Sequence, residues 1–325
     1  MVRNDVLPFF QSQGVKPTLR TIFYALVSRG VIPNTKSAYK TLSRVLVEAR
    51  KAGVFSWDFI VDKTRVVYRY FRDGAPDEGE IESTRLLCGQ KLESLSIQKI
   101  LSEWFDYLVP GSWSVGRWAE QPAVPEIWIE KEALADTVRS WVQDLEVNVR
   151  VNRGYSSWTF IYDNVRELGE ILKRHERVVV YYLGDLDPSG VDIERFLREA
   201  LQFFQLPEDR VQLVRLAVTP EQVEEFSLPP RPEDAETLAK IARDPRTKSY
   251  SYDYIVELDA LIAYVPDRFR ELLREAIEKL HDKEIYSEVR SKAERIIGEC
   301  RKVVEEYKKK ALEKILEEVR EGVGA

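Results

Sequence analysis

The chain has 325 residues, 44% of them hydrophobic and 32% charged, enough for two or three domains with buried cores. Its two cysteines, Cys88 and Cys300, lie far apart, and with only two histidines they exclude a disulfide framework and a zinc site of their own; no apolar run approaches the ~20 residues that cross a bilayer, so a cytoplasmic protein with no membrane partner is expected. The net charge of −6 is unevenly spread: residues 1–72 carry 13 Lys and Arg against 4 Asp and Glu, a balance of +9 that leaves −15 for the rest, and a basic head on an acidic body is expected to meet phosphate.

In chain order, residues 17–30 (PTLRTIFYALVSRG) predict a helix. Leu19, Ile22, Phe23, Leu26 and Val27 follow the spacing of one buried stripe. Thr18 is placed to cap its start and Gly30 to end it. Asn34 or Thr35 caps a second predicted helix that runs to Gly53, with Ala38, Leu42, Val45, Leu46 and Ala49 facing inward. Lys36, Lys40 and Arg44 recur every fourth residue on another face, and Arg50 and Lys51 follow near the end. These five are the candidate DNA-binding residues. Two aromatic, β-branched runs, FSWDFIV and RVVYRYF, flank the turn-like Asp62-Lys63-Thr64. Helix, turn, basic helix and hairpin is the order of a winged helix, whose second helix meets a DNA groove and its phosphates. Residues 1–72 are therefore expected to form a winged-helix domain.

Residues 73–80 (DGAPDEGE) read as a linker. They open a connector over 73–120 with a long amphipathic helix to about residue 108. From residue 126 strand and helix alternate: EIWIE, KEALADTVRSWVQDL, VNVRV, SWTFIYDNVRELGEILKRH, RVVVYYLGD, DIERFLREALQFF and VQLVRLAV. That alternation predicts a Rossmann-like parallel α/β sheet over 121–265, with the continuously apolar RVVVYYL run in its centre. Residues 266–325 read as a charged, helical C-terminal extension.

The chemistry concentrates at Gly184-Asp185-Leu186-Asp187-Pro188-Ser189-Gly190, where a strand ends and a helix begins. Carboxylates at i and i+2 on extended backbone point the same way, and ligands of open α/β sheets bind at the carboxyl ends of strands. Two such acids repel each other unless a cation joins them, and oxygen donors suit magnesium. Glu130 ends the first strand of the same unit. If first and third strands are neighbours, Glu130 approaches Asp185 and Asp187.

A glutamate after the first strand and an Asp-x-Asp after the third resemble the Toprim signature. The phrases IWIEKEAL and YYLGDLDPSGVDI, with RWAEQP upstream and YIVELDAL downstream, resemble the A subunit of topoisomerase VI and the meiotic double-strand-break transesterases. The short stand-alone prokaryotic relatives called Mini-A are the most similar. The resemblance spans residues 17 to about 265. It implies an α/β multidomain chain with a winged helix, a Toprim domain and a helical extension, in which Glu130, Asp185 and Asp187 hold Mg2+ and Glu132 is secondary. It also implies a tyrosine nucleophile: Leu19-Arg20-Thr21-Ile22-Phe23-Tyr24 is similar to the family's Arg-x-Ile-Tyr-Tyr phrase, which puts Tyr24 at the attacking position and Arg20 one helical turn earlier, placed to bind the scissile phosphate. The expected activity is magnesium-dependent cleavage and rejoining of double-stranded DNA by a homodimer, since two strands need two tyrosines. A hydrolytic Toprim nuclease, or a DNA-binding module with little chemistry, are the alternatives. The chain has no Gly-x-x-x-x-Gly-Lys-Ser/Thr phosphate loop, so coupled strand passage implies a separate ATPase (B-type) subunit. One departure is Asn152-Arg153-Gly154-Tyr155-Ser156-Ser157, where the family has a Gly-x-Gly-x-Pro-like loop.

Overall fold

The N-terminal helices start and stop where their capping residues stand. In the computed structural model, which describes residues 2–12, 17–60, 67–94, 114–152, 158–231, 250, 252 and 254–323, a π-helical turn, Val2–Val6, runs into α1 (Leu7–Ser12). Then follow α2 (Leu19–Val27) and α3 (Lys36–Lys51). The Thr18 and Thr35 hydroxyls accept from Thr21 N and Ala38 N, each at 3.2 Å, satisfying amides that have no partner within the helix. Gly30 and Gly53 follow the two helices with φ of +68° and +70°, a conformation that costs glycine least. Ile22, Phe23 and Leu26 meet Leu42, Leu46, Phe55, Ile60, Val6 and Leu7 in one core, with Leu19, Val27, Ala38 and Ala49 at its edge. Val45 departs from the expected inner face and is 53% exposed, because the helical stripe narrows to Leu42 and Leu46.

The expected hairpin takes a different form. Trp57–Phe59 is a 3-10 turn, and β1 (Val67–Tyr68) pairs antiparallel with a strand of the α/β sheet. The expected turn at Asp62-Lys63-Thr64 lies outside the described residues. The sheet takes Val67 and Tyr68 because its edge offers open backbone groups.

That sheet contains β2 (Ala123–Ile129), β3 (Asn148–Val151), β4 (Arg177–Leu183) and β5 (Val211–Ala217), in the order β1-β3-β2-β4-β5. Apart from β1 the pairings are parallel. Between strands run α5 (Glu132–Val142), α6 (Trp158–Ile171) and α7 (Pro188–Phe203). Every residue of β2 is buried, as are Val178–Leu183 of β4. The apolar run of β4 thus lies inside the sheet, between β2 and β5.

A buried polar cluster interrupts this apolar interior. Glu126 and Arg150, each 0% exposed, face each other across β2 and β3. Arg150 Nε donates to Glu126 Oε2 at 2.6 Å and an Nη to Oε1 at 3.0 Å; its other Nη reaches Asn164 Oδ1 and Glu167 Oε2. Asn148 donates to Glu126 Oε1 at 2.8 Å. Burial by itself would lower the guanidinium's pKa, and the charge of Glu126 outweighs it and raises it.

Past β5 come α8 (Pro220–Glu225), opened by a Thr219/Gln222 capping box, then α9 (Leu258–Tyr264) and α10 (Pro266–Glu278). The chain divides into two compact units, Met1–Arg69 with Pro122–Glu278, and Tyr70–Gln121 with Lys279–Ala325. This differs from four consecutive segments (1–72, 73–120, 121–265, 266–325). In the second unit, α4 (Gly79–Ser94) packs on α11 (Lys283–Val323) through Cys88, Val303, Val304 and Ala311; α4 is not the amphipathic helix expected, since its Leu86 and Leu87 are exposed. Glu78 and Arg295 add an ion pair. The connector helix expected to about residue 108 is described only to Ser94. No helix among the described residues is long and apolar enough to cross a membrane.

Candidate functional site

Because β2 and β4 are parallel neighbours in register, Ile129 opposite Leu183, their carboxyl ends coincide. Glu130 leaves β2 there, with its amide donating to Leu183 O at 2.9 Å. Asp185 and Asp187 leave β4 at the same edge. The expected adjacency of first and third strands is thus present.

Each acid is held differently. Asp185 is 6% exposed; its Oδ1 accepts from Leu258 N at 2.8 Å, and its Oδ2 lies 3.2 Å from Lys131 Nζ. Burial raises its pKa, partly offset by the Leu258 amide and Lys131. Asp187 caps α7, its Oδ1 accepting from Gly190 N at 2.6 Å. A Cβ on Gly190 would stand 2.3 Å from Asp185 O, so the turn that joins the two aspartates requires glycine. Glu130 accepts from the Tyr182 hydroxyl at 3.3 Å. Burial first, then the charges of Asp185 and Asp187, push its carboxyl up to about 7. Such a shift marks a carboxyl withdrawn from water beside two other acids. Glu132 is exposed in the first turn of α5.

Four residues that the motifs did not single out complete the arrangement. Lys131 Nζ lies 2.5 Å from Asp259 Oδ2 and 3.6 Å from Glu257 Oε1, besides its approach to Asp185. Burial by itself would lower the ammonium; the hydrogen bond to Asp259 and the charge of Asp185 outweigh it and hold its pKa up to about 12. Glu257 and Asp259 arrive because Leu186 and Val256 exchange backbone hydrogen bonds at 2.9 and 3.1 Å. Arg215 gathers the loop from below: it donates to Gly190 O, Asp185 O, Val218 O and Gly184 O at 3.0–3.4 Å while paired with Glu194 at 2.7 Å. The phrase YIVELDAL carried the only sequence signal for two of these four.

In donor type, Glu130, Asp185 and Asp187 suit a hard divalent cation, being all carboxylate oxygen. In arrangement, no group of three His, Cys, Asp or Glu among the described residues is disposed to hold a metal as it stands. The reason is local: both Asp185 oxygens and one of Asp187 are turned to protein donors. The Asn152–Ser157 loop lies outside the described residues from Arg153 onward.

On α2, Tyr24 is 55% exposed, its ring edge-on to Phe23 at 5.4 Å, and Arg20 is exposed four residues earlier. Lys36, Lys40 and Arg44 form an exposed row on α3. Arg50 does not join them. It is 6% exposed, donates to Thr159 Oγ1 at 2.6 Å and lies over the Trp57 ring at 4.5 Å, because α3 ends against α6. Burial pushes its pKa down to about 10. Lys51 is half-buried, with Nζ 3.8 Å above the Trp158 ring. Trp57, Trp158, Tyr162 and Phe204 stack around these two cations. Arg50 is thereby buried and Lys51 half-buried, while Lys36, Lys40 and Arg44 stay exposed.

The Glu130 shift has a stability consequence. A carboxyl whose folded pKa lies above the unfolded 4.5 favours the fold below about pH 4.5, and that advantage is lost as pH rises through about 7. In EDTA, Glu130→Gln should be more stable than wild type at pH 8, by roughly 3 kcal/mol, with the difference vanishing toward pH 4.5. Thermal melts across that range check it; a difference independent of pH would mean that Glu130 carries no such strain.

No protein-family model and no curated protein matches the chain.

Proposed function

We propose that this chain is a DNA transesterase of the topoisomerase VI A-subunit kind, in which a winged-helix segment carrying Tyr24 serves a Toprim site formed by Glu130, Asp185 and Asp187. The observation that carries the reading is the meeting of these three acids at the ends of adjacent parallel strands, with Glu130 pushed up to about 7 by burial and its two neighbours.

In this reading the Tyr24 hydroxyl attacks a backbone phosphorus. A tyrosine–phosphorus ester forms as the bond to one sugar oxygen breaks; the tyrosine proton leaves and the departing sugar oxygen takes one up. One phosphoester replaces another, so the break can be resealed without a fuel. Arg20 would pair with the phosphate. Glu130, Asp185 and Asp187 would hold Mg2+, which when bound offsets the negative charge gathering on the phosphate. Two tyrosines cut two strands, so the working form would be a homodimer on double-stranded DNA. Strand passage would draw on a separate ATPase subunit. Incubation with supercoiled DNA and Mg2+, followed by denaturation, should leave protein joined to DNA ends. Cleavage with free ends only would replace this reading by a hydrolytic Toprim nuclease, in which water attacks in place of Tyr24.

Duplex binding in this reading is electrostatic and centred on the exposed row of α3. Changing Lys36, Lys40 and Arg44 together to Gln should flatten the log–log dependence of affinity on salt by up to roughly 2.7, about 0.9 for each phosphate no longer neutralised. Equal slopes for wild type and the triple variant would move the DNA surface elsewhere.

A further inference from the structure

Lys131 is a cation already present beside Asp185. Its ammonium lies 3.2 Å from Asp185 and is shared with Asp259 at 2.5 Å and Glu257 at 3.6 Å, and Arg231 stands 3.4 Å from Glu257. Lys131 thus joins Asp185, at the end of β4, to Glu257 and Asp259, while Glu130 and Asp187 stand at the same strand ends. Asp185 is the one acid belonging to both sets, and its second oxygen is fixed independently by the Leu258 amide.

We propose that Lys131 is a tethered counter-ion of Asp185 that an arriving divalent cation displaces onto Glu257 and Asp259. The inference rests on the magnesium-binding reading above. Lys131 is on this view a positioning residue: it neutralises Asp185 while no metal is bound and competes with the metal for it. The physical argument is one of charge. A divalent cation and an ammonium at one carboxylate repel each other, so binding must either expel Lys131 or suffer its presence. Expulsion is cheap only if the ammonium has another partner within reach, and Glu257 and Asp259 already touch it. The Leu186–Val256 bridge, which brings those two acids onto the loop, thereby acquires a role in metal affinity.

Competition and hand-over predict opposite signs for two substitutions. Lys131→Met keeps the apolar stem and removes the competing charge, so affinity for Mn2+, measured on the full chain by paramagnetic resonance as a stand-in for magnesium, should rise about tenfold. Lys131→Arg keeps the charge and should stay near wild type. Glu257→Gln with Asp259→Asn leaves Lys131 confined to Asp185 and should weaken Mn2+ binding. Made in the Lys131→Met background, the same pair should have far less effect, since no ammonium remains to be received. Lys131→Met binding Mn2+ no more tightly than wild type, or an equally large Glu257/Asp259 effect with and without Lys131, overturns the competition while leaving the metal reading intact. Absence of Mn2+ binding in wild type and all variants overturns the metal reading and this inference with it. Melting in EDTA verifies that the variants fold. Should Lys131→Met not fold, Lys131→Gln takes its place in the same cycle, with the same expected and overturning results.

Discussion

Tyr24→Phe is expected to abolish protein–DNA covalent ends completely while leaving duplex binding and stability near wild type. The substitution removes one hydroxyl from a side chain that is 55% exposed and touches the core through the edge of its ring on Phe23. A surface change of this kind shifts stability by no more than about 0.5 kcal/mol. On the proposed reading what disappears is the attacking atom, so the chemical step has no substitute route. A hydrolytic enzyme would be insensitive to the change, because its nucleophile comes from solvent. Other tyrosines of the same unit serve as controls: Tyr39 packs edge-on against Phe23 at 5.2 Å, and Tyr68 lies in the sheet under the Arg139 guanidinium. Gel analysis after denaturation reads the result. Protein-linked ends persisting in Tyr24→Phe would move the nucleophile to another residue.

The second large effect concerns stability. Arg150→Met should destabilise the protein by about 3–5 kcal/mol, because it leaves the fully buried Glu126 without its cation. Replacing both partners at once, Glu126→Leu with Arg150→Met, should cost markedly less than Arg150→Met alone, since a buried pair is expensive mainly when broken on one side. Urea titrations of the two single variants and the double variant give the coupling directly. Additive losses would mean that Glu126 and Arg150 act independently, contrary to the two short hydrogen bonds between them.

Much of the architecture is legible in the residues alone. Thr18, Thr35, Gly30 and Gly53 carry the ends of α2 and α3 in their own chemistry, and the Ile22/Phe23/Leu26 stripe is a matter of helical period. Alternating apolar strands and amphipathic helices imply a parallel sheet, and a parallel sheet gathers its chemistry at the carboxyl ends of strands, which is where Glu130, Asp185 and Asp187 stand.

What periodicity could not carry is whether a basic residue faces water or an aromatic ring. Arg50 and Lys51 read as the continuation of the Lys36/Lys40/Arg44 row, yet α3 ends against Trp57 and Trp158, the latter 107 positions beyond Lys51 in the chain. The same holds for β1, whose residues have the composition of any strand and whose partner is chosen by an open edge, and for α4, whose partner is the last helix of the chain. Local propensity and periodicity belong to a residue and its near neighbours, so the sequence by itself determined the helices, the strands and the acids at their ends. Pairing across long separations depends on which surfaces are left open once those elements exist. Only the tertiary structure therefore decided that Lys131 is brought among Asp185, Glu257 and Asp259.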